Sequence, residues 1–191
     1  MKYLRELREQ FKKTPIFTSR DIEIFFTKKG LTKKYLHLLL HNLVKKGEIF
    51  RIRKGIYTFN TELTSVGFAF SPFYYGLQEA LSIHGIWEQE TIPVVVTVRK
   101  VRTGRQEFEG SNYLVRRISR KMFFGFDFVS YSGMFVPVSD IEKTLIDLVY
   151  FREPLSKEVL KELNKRIDQK KLKKYLSRAP RYVREKLVKL A

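Results

Sequence analysis

Near the N-terminus, apolar residues recur every three or four positions in two stretches, each bounded by residues that start and stop helices. In the first stretch Ile22, Phe25 and Phe26 share one face. Thr18 stands where its hydroxyl accepts from the backbone N–H of Asp21, and Asp21 places negative charge in the first turn. Phe17 and Ile22 flank that cap as a hydrophobic staple, and Gly30 supplies a positive-φ exit. In the second stretch Thr32 repeats the start, with Leu31 and Leu36 as its staple. Tyr35, Leu36, Leu39, Leu40 and Leu43 then fall on one inward face, and Gly47 ends the helix. Two capped helices joined by one glycine turn predict a helix-turn-helix. Residues 2 to 12, with Leu4, Leu7 and Phe11 in a charged background, predict a helix preceding the pair.

Beyond Gly47 the period changes. Glu48 to Arg53 and Ile56 to Phe59 predict two strands around a two-residue Lys54-Gly55 loop, where glycine tolerates the backbone twist of a hairpin. Helices followed by a basic-tipped hairpin make the order of a winged helix. Turn formers and small residues fill 60 to 71, and the domain boundary is placed there.

The rest of the chain mixes the two periods. A helix is expected from Ser71, with Pro72 at its first position, Phe73, Leu77, Ala80, Leu81 and His84 on one face, and Gly85 closing it. Strands are expected at 93–98, 113–118, 124–131 and 134–138. The segment from Arg99 to Glu109 reads as a mobile, solvated loop of mixed charge. Ser139 and Glu142 form a capping box for a helix that buries Ile141, Leu145, Leu148 and Val149. After Pro154, three short helices near 156–167, 169–177 and 180–190 each carry a narrow apolar stripe, the last through Val183, Leu187 and Leu190. The expected fold is α+β. A winged helix-turn-helix domain at 1–62 precedes a small α+β domain at 63–191, with a mixed or antiparallel sheet and a basic helical tail from about residue 152.

Charge sharpens this picture. The 191 residues carry a formal net charge of +18. Residues 1–60 hold 15 basic and 5 acidic residues, 61–151 hold 9 and 10, and 152–191 hold 14 and 5. Two basic ends around a neutral middle point to a polyanion as partner. No run of about 18 apolar residues exists and the N-terminus lacks the apolar core of a signal peptide, so a cytoplasmic protein without a membrane partner is expected. The absence of cysteine removes disulfides, Cys-ligated zinc and thiol nucleophiles together.

The residues that would meet a polyanion lie on the second helix and the hairpin. Lys33, Lys34, His41 and Lys45 project away from the leucine face, with His37 and Leu38 beside them, and Arg51, Arg53 and Lys54 crown a wing that has no acidic residue after Glu48. Duplex DNA asks for cations that displace counterions from phosphates and for a helix that fits the major groove. Double-stranded DNA is therefore the expected ligand. Catalysis finds no support. His37 and His41 have the spacing of a helical zinc pair, but Leu38 occupies the place of a metalloprotease glutamate and no third ligand is evident. Asp168-Gln169-Lys170, the sole acid-x-Lys triplet, reads as a helix end rather than a nuclease strand. No catalytic residue, metal or cofactor is expected. Two other functions fit the composition: a protein-interaction module that neutralises a toxin with DNA binding incidental, and RNA binding through the basic tail and the aromatic residues.

Three motifs in order carry a family resemblance. Lys54-Gly55-Ile56-Tyr57 closes a wing that resembles that of the AbiEi antitoxin family, Tyr75 to Ile86 with Ala80-Leu81 and His84-Gly85-Ile86 is similar to its "sAL..HGL" helix, and Glu142-Lys143-Thr144-Leu145-Ile146-Asp147 resembles its "EKTLlD" helix. The resemblance implies a negative autoregulator of an abortive-infection toxin-antitoxin operon. It further implies an N-terminal DNA-binding domain, a C-terminal domain for antitoxin activity and cooperative binding at inverted repeats with self-association on DNA, and a neighbouring nucleotidyltransferase-like toxin as partner. The aromatic run Ser71 to Tyr75 and the strongly basic tail depart from the family pattern. Physically, the last two motifs read as scaffold: His84 closes a helix where its ring can bond carbonyls, and Glu142 caps its own helix. The alternative brings His84, Glu142, Lys143 and Asp147 together at one site.

Overall fold

The computed structural model describes residues 3–89 and 91–189. The fold is α+β. The chain divides into two compact units, one built from residues up to Ala69 together with Glu107–Ser111, the other from Phe70–Gln106 and the chain from Asn112 onward. No helix among the described residues is long and apolar enough to cross a membrane.

In the first unit, α1 (Leu4–Phe11), α2 (Ser19–Phe26) and α3 (Lys33–Lys45) pack around Leu7, Ile22, Phe26, Leu36, Leu40 and Leu43. Local chemistry sets the helix ends. Thr18 Oγ1 accepts from the Asp21 N–H at 3.1 Å while the Asp21 carboxylate accepts from the Thr18 N–H at 2.7 Å, the reciprocal pair of a capping box. A 3-10 turn, Thr27–Lys29, leads to Gly30 at φ +69°, and Thr32 Oγ1 accepts from the Tyr35 N–H at 3.3 Å to open α3. At the other end Gly47, at φ +66°, donates to Val44 O at 3.0 Å, and Glu48 donates to Leu43 O at 2.9 Å. These two bonds are the Schellman pair that satisfies carbonyls at a helix C-terminus. Tyr35 departs from expectation: it is exposed rather than inward. It sits on the flank of α3, its ring edge against Tyr3 at 5.8 Å, a position that leaves the phenol in water.

The wing forms as β2 (Phe50–Arg53) and β3 (Ile56–Thr58), with Lys54-Gly55 between them and Gly55 at φ +76°. A strand not read from the sequence, β1 (Phe17–Thr18), completes a sheet of order β1-β3-β2, with Phe17 opposite Tyr57 and Arg51 opposite Tyr57 on the other side. Two residues are too few for an alternating pattern to show. Gly55 O accepts from the Ser19 N–H at 3.0 Å, which ties the wing to the start of α2. Helix, strand, helix, helix and hairpin in this order make a winged helix.

Residues Leu63–Phe70, read as turn-rich, form a 3-10 run in which Ser65, Val66, Ala69 and Phe70 are buried. The second unit is built on a mixed sheet of order β6-β7-β5-β4-β9-β8, comprising β4 (Phe73–Tyr75), β5 (Val94–Thr97), β6 (Gly104–Phe108), β7 (Ser111–Arg117), β8 (Phe126–Tyr131) and β9 (Met134–Ser139). Strands β5 and β7 run parallel, as do β4 and β9, while β4–β5 and β8–β9 are antiparallel. Helices α4 (Leu77–Ile83), α5 (Ile141–Tyr150), α6 (Lys157–Arg166), α7 (Gln169–Leu176) and α8 (Arg181–Val188) supply the rest. Their core joins Tyr74, Val94 and Val96 of the sheet to Leu81, Leu145, Ile146, Leu163, Val183 and Leu187. Leu190 lies outside the described residues.

Three segments differ from the pattern expected of their sequence. The helix does not begin at Ser71, because Phe73, Tyr74 and Tyr75 are all buried and form a central strand, where bulky aromatic residues fill both faces of a sheet. The helix starts only at Leu77. The segment Arg99 to Glu109 is not all loop, since β6 occupies Gly104–Phe108, with Phe108 buried and Arg105 and Glu107 exposed. The cap of α5 is Asp140, which accepts from the Lys143 N–H at 2.8 Å, and not Ser139, which ends β9 and shares a 2.8 Å bond with the Thr144 hydroxyl. A carboxylate one residue closer to the helix displaces the hydroxyl from that role. Glu142 accordingly does not reach back to its own helix end; it accepts from the Asp168 N–H at 2.8 Å.

Candidate nucleic-acid interface

Helix α3 is two-sided. Leu36, Leu39, Leu40 and Leu43 are buried, while Lys34, His37, Leu38, His41 and Lys45 are exposed. At roughly 100° per residue these five side chains fall within a sector of about 100°, over a helix length of about 16 Å from Lys34 to Lys45. Leu38, 54% exposed, stands at one edge of that sector. Lys33 diverges from the group: at the first turn its ammonium lies 3.4 Å from Glu23 of α2. In the wing, Arg51 and Lys54 are exposed and Arg53 is half-buried beside the bulge that separates it from Arg51. Arg51 also lowers the Tyr57 hydroxyl against the larger effect of burial, which raises it above the ordinary phenol value.

The five acidic residues of positions 1–60 are already engaged elsewhere. Glu9 pairs with Arg5 at 2.9 Å, Glu48 with Arg8, Glu6 with Lys29 and Glu23 with Lys33, and Asp21 is held in the capping box. Among the described residues no carboxylate lies in ion-pair range of Lys34, Lys45, Arg51 or Lys54. Part of the surplus charge of the first 60 residues therefore lies on the outer face of α3 and on the wing, with Lys12, Lys13, Arg20 and Lys46 exposed elsewhere. Such a surface offers point charges and N–H donors to phosphates, imidazoles to base edges, and an apolar tip.

Residues 4–60 match the family model of the AbiEi antitoxin transcriptional regulators. The match spans the three helices and the wing, and it ends before the motifs at 75–86 and 142–147 that also resemble the AbiEi family. Across nearly the whole chain the fold is similar to that of the RV2827C protein from Mycobacterium tuberculosis, with a TM-score of 0.66 over 94% of this chain and 71% of that one at 13% identity. At that identity the likeness is one of fold. No curated protein matches the chain in sequence.

The second constellation weighed from the sequence does not assemble into one site. His84 Nε2 bonds Ser139 O at 2.7 Å, and its own carbonyl accepts from Arg166 at 2.8 Å. Glu142 holds the N–H of Asp168 and pairs with Lys171 at 3.2 Å. Lys143 and Asp147 form a fully buried pair, with the Tyr74 hydroxyl donating to Asp147 at 2.6 Å and the Lys143 ammonium over the rings of Tyr74 and Phe124 at 5.4 and 5.2 Å. Burial pushes the Asp147 carboxyl up and the Lys143 ammonium down, and the attraction between them works against both shifts. Each of these groups has its partner within the scaffold.

Proposed function

We propose that this chain is a sequence-specific DNA-binding transcriptional regulator of the AbiEi antitoxin type, acting on the operator of its own operon. The outer face of α3 enters the major groove, where Lys34, His37, His41 and Lys45 meet base edges and flanking phosphates, with Lys33 at the rim. Arg51, Arg53 and Lys54 of the wing take phosphates or the adjacent minor groove, and residues 1–62 act as the DNA-reading domain. One observation carries the reading: Lys34 and Lys45 on the exposed side of the helix that follows a capped turn, and Arg51 and Lys54 on the hairpin that follows it, are cations without a carboxylate in ion-pair range among the described residues.

The family match of residues 4–60 supports the regulator and antitoxin role. On this reading the remainder of the chain serves the antitoxin function against a nucleotidyltransferase-like toxin and supports self-association on inverted repeats. Fluorescence anisotropy with the full chain tests the central claim, using duplexes from upstream of its own gene against scrambled duplexes at equal ionic strength. The reading predicts at least about a thousandfold preference for one upstream segment. Equal binding to every duplex, or tighter binding to single-stranded RNA, would reject it.

A further inference from the structure

We propose that the second unit holds a separate binding site for a nucleoside phosphate, in the cleft at the carboxyl ends of β5 and β7. This site is independent of how α3 and the wing engage DNA. The cleft has a volume of about 1030 Å³ and is lined by Arg99, Lys100, Arg117 and Arg120 together with the rings of Phe123 and Tyr150. No acidic residue lines it.

The topology explains why four cations converge. Strands β5 and β7 are parallel neighbours with Thr97 opposite Arg117, so both chains leave the sheet at the same end. One exit carries Arg99 and Lys100, the other Arg117 and, within a 3-10 turn, Arg120. Strand β4 enters beside them, Phe73 opposite Thr97, and brings Pro72 to the wall. Clefts outside the carboxyl ends of parallel strands are where open sheets with covering helices take ligands. The exits are fixed. Ile118 N–H donates to Thr97 O at 2.9 Å, Arg99 N–H donates to Thr97 Oγ1 at 3.2 Å, and the Arg99 guanidinium donates to Ser71 O at 3.3 Å.

Charge balance points to an anion. Arg116, next to Arg117 in the same strand, has its own carboxylate in Glu153. Among the described residues no carboxylate stands in ion-pair range of Arg99, Lys100, Arg117 or Arg120. A chain with +18 net charge must leave many cations unpaired, but scattering them in water costs least, and here two segments gather four of them in one concavity. The rings select among anions. Aromatic faces beside arginine and lysine suit a planar base with phosphates attached, because the base stacks while the guanidinium groups fork onto phosphate oxygens.

Titration of the full chain with ATP and GTP by isothermal calorimetry, with inorganic tripolyphosphate in parallel, tests the site. A nucleotide is expected to bind saturably, at least about tenfold more tightly than tripolyphosphate, and Arg117→Glu or Arg120→Glu is expected to weaken it at least about tenfold. Tyr150→Ala, checked for folding by circular dichroism, is expected to narrow the gap between nucleotide and tripolyphosphate. Arg184→Glu on α8, which changes the net charge equally but lies outside the cleft, is expected to leave the titration unchanged. No saturable binding, equal binding of tripolyphosphate, or equal loss in the Arg184 variant would overturn the proposal. So would displacement of the nucleotide by any duplex together with weaker duplex binding in the cleft variants, since the cleft would then be part of a DNA track.

Discussion

Removing two wing cations tests the proposed interface through a number that the geometry supplies. Lys34, Lys45, Arg51 and Lys54 lack carboxylate partners, and the exposed arginine and lysine of the wing lie on a hairpin backed by Ile52 and Tyr57 in the core. If these four groups each displace a condensed counterion, the logarithm of the association constant falls with the logarithm of salt concentration with a slope of about −3.6. The double variant Arg51→Ala, Lys54→Ala removes two of the four. Its slope should flatten by about 1.8, and its affinity should fall by a similar factor on operator and scrambled duplexes, because phosphate contacts carry no sequence information. Replacing Lys34 or His41 should instead alter preference among duplexes. Anisotropy titrations at five salt concentrations from 50 to 250 mM, roughly spanning the range where counterion release dominates, give both quantities. A slope unchanged within error in the double variant, with its fold intact by circular dichroism, would refute the assignment of the wing to the DNA backbone.

Other outcomes follow from the same structure. Leu38→Gln should leave the urea midpoint unchanged, since Leu38 is 54% exposed, while shifting sequence preference at positions where a thymine methyl meets it; Leu39→Ala, at 4% exposure one residue on, should cost about 2–5 kcal/mol in the same melt. Asp147→Ala strands the Lys143 ammonium and the Tyr74 hydroxyl in the core, and urea unfolding should register a loss of about 3–5 kcal/mol; replacing both charges, as Lys143→Met with Asp147→Leu, should restore much of it. Burial raises the Glu79 carboxyl above its ordinary value, against the bonds it accepts from Thr91 and Tyr131. A raised carboxyl contributes stability in its protonated form, present below the unfolded value and lost as pH climbs through the folded one. Glu79→Gln should therefore gain stability relative to the natural chain as pH rises above the ordinary glutamate value, and urea midpoints that move in parallel over that rise would contradict this.

The parts legible in the sequence are those whose causes are local. Thr18 with Asp21, Thr32 with Tyr35, and the Gly47 exit each close a bond within five residues, so the residue types and their spacing report the bond directly. The period of Leu36, Leu39, Leu40 and Leu43 likewise separates the inner from the outer face of α3, and Tyr35 breaks it because a phenol tolerates the rim. Strand β4 escaped because Phe73-Tyr74-Tyr75 owes its state to neighbours from β5 and β9 in the sheet, which a proline at 72 followed by a helical period does not disclose. Ser139 and Asp140 were adjacent candidates for one cap, and only the end of β9 decides between them. Charge behaves the same way at a larger scale. Counting residues finds the surplus of the first 60 positions, but whether Lys33 or Lys34 remains free depends on Glu23 lying on the facing helix. The middle of the chain, with 9 basic and 10 acidic residues between 61 and 151, looks neutral by count, yet parallel β5 and β7 bring Arg99, Lys100, Arg117 and Arg120 to one cleft while Glu153, two residues beyond that stretch, is paired with Arg116. A neutral composition therefore does not imply a neutral surface: where strands run parallel, the loops that leave their ends can separate cations from carboxylates that the sequence intermixes.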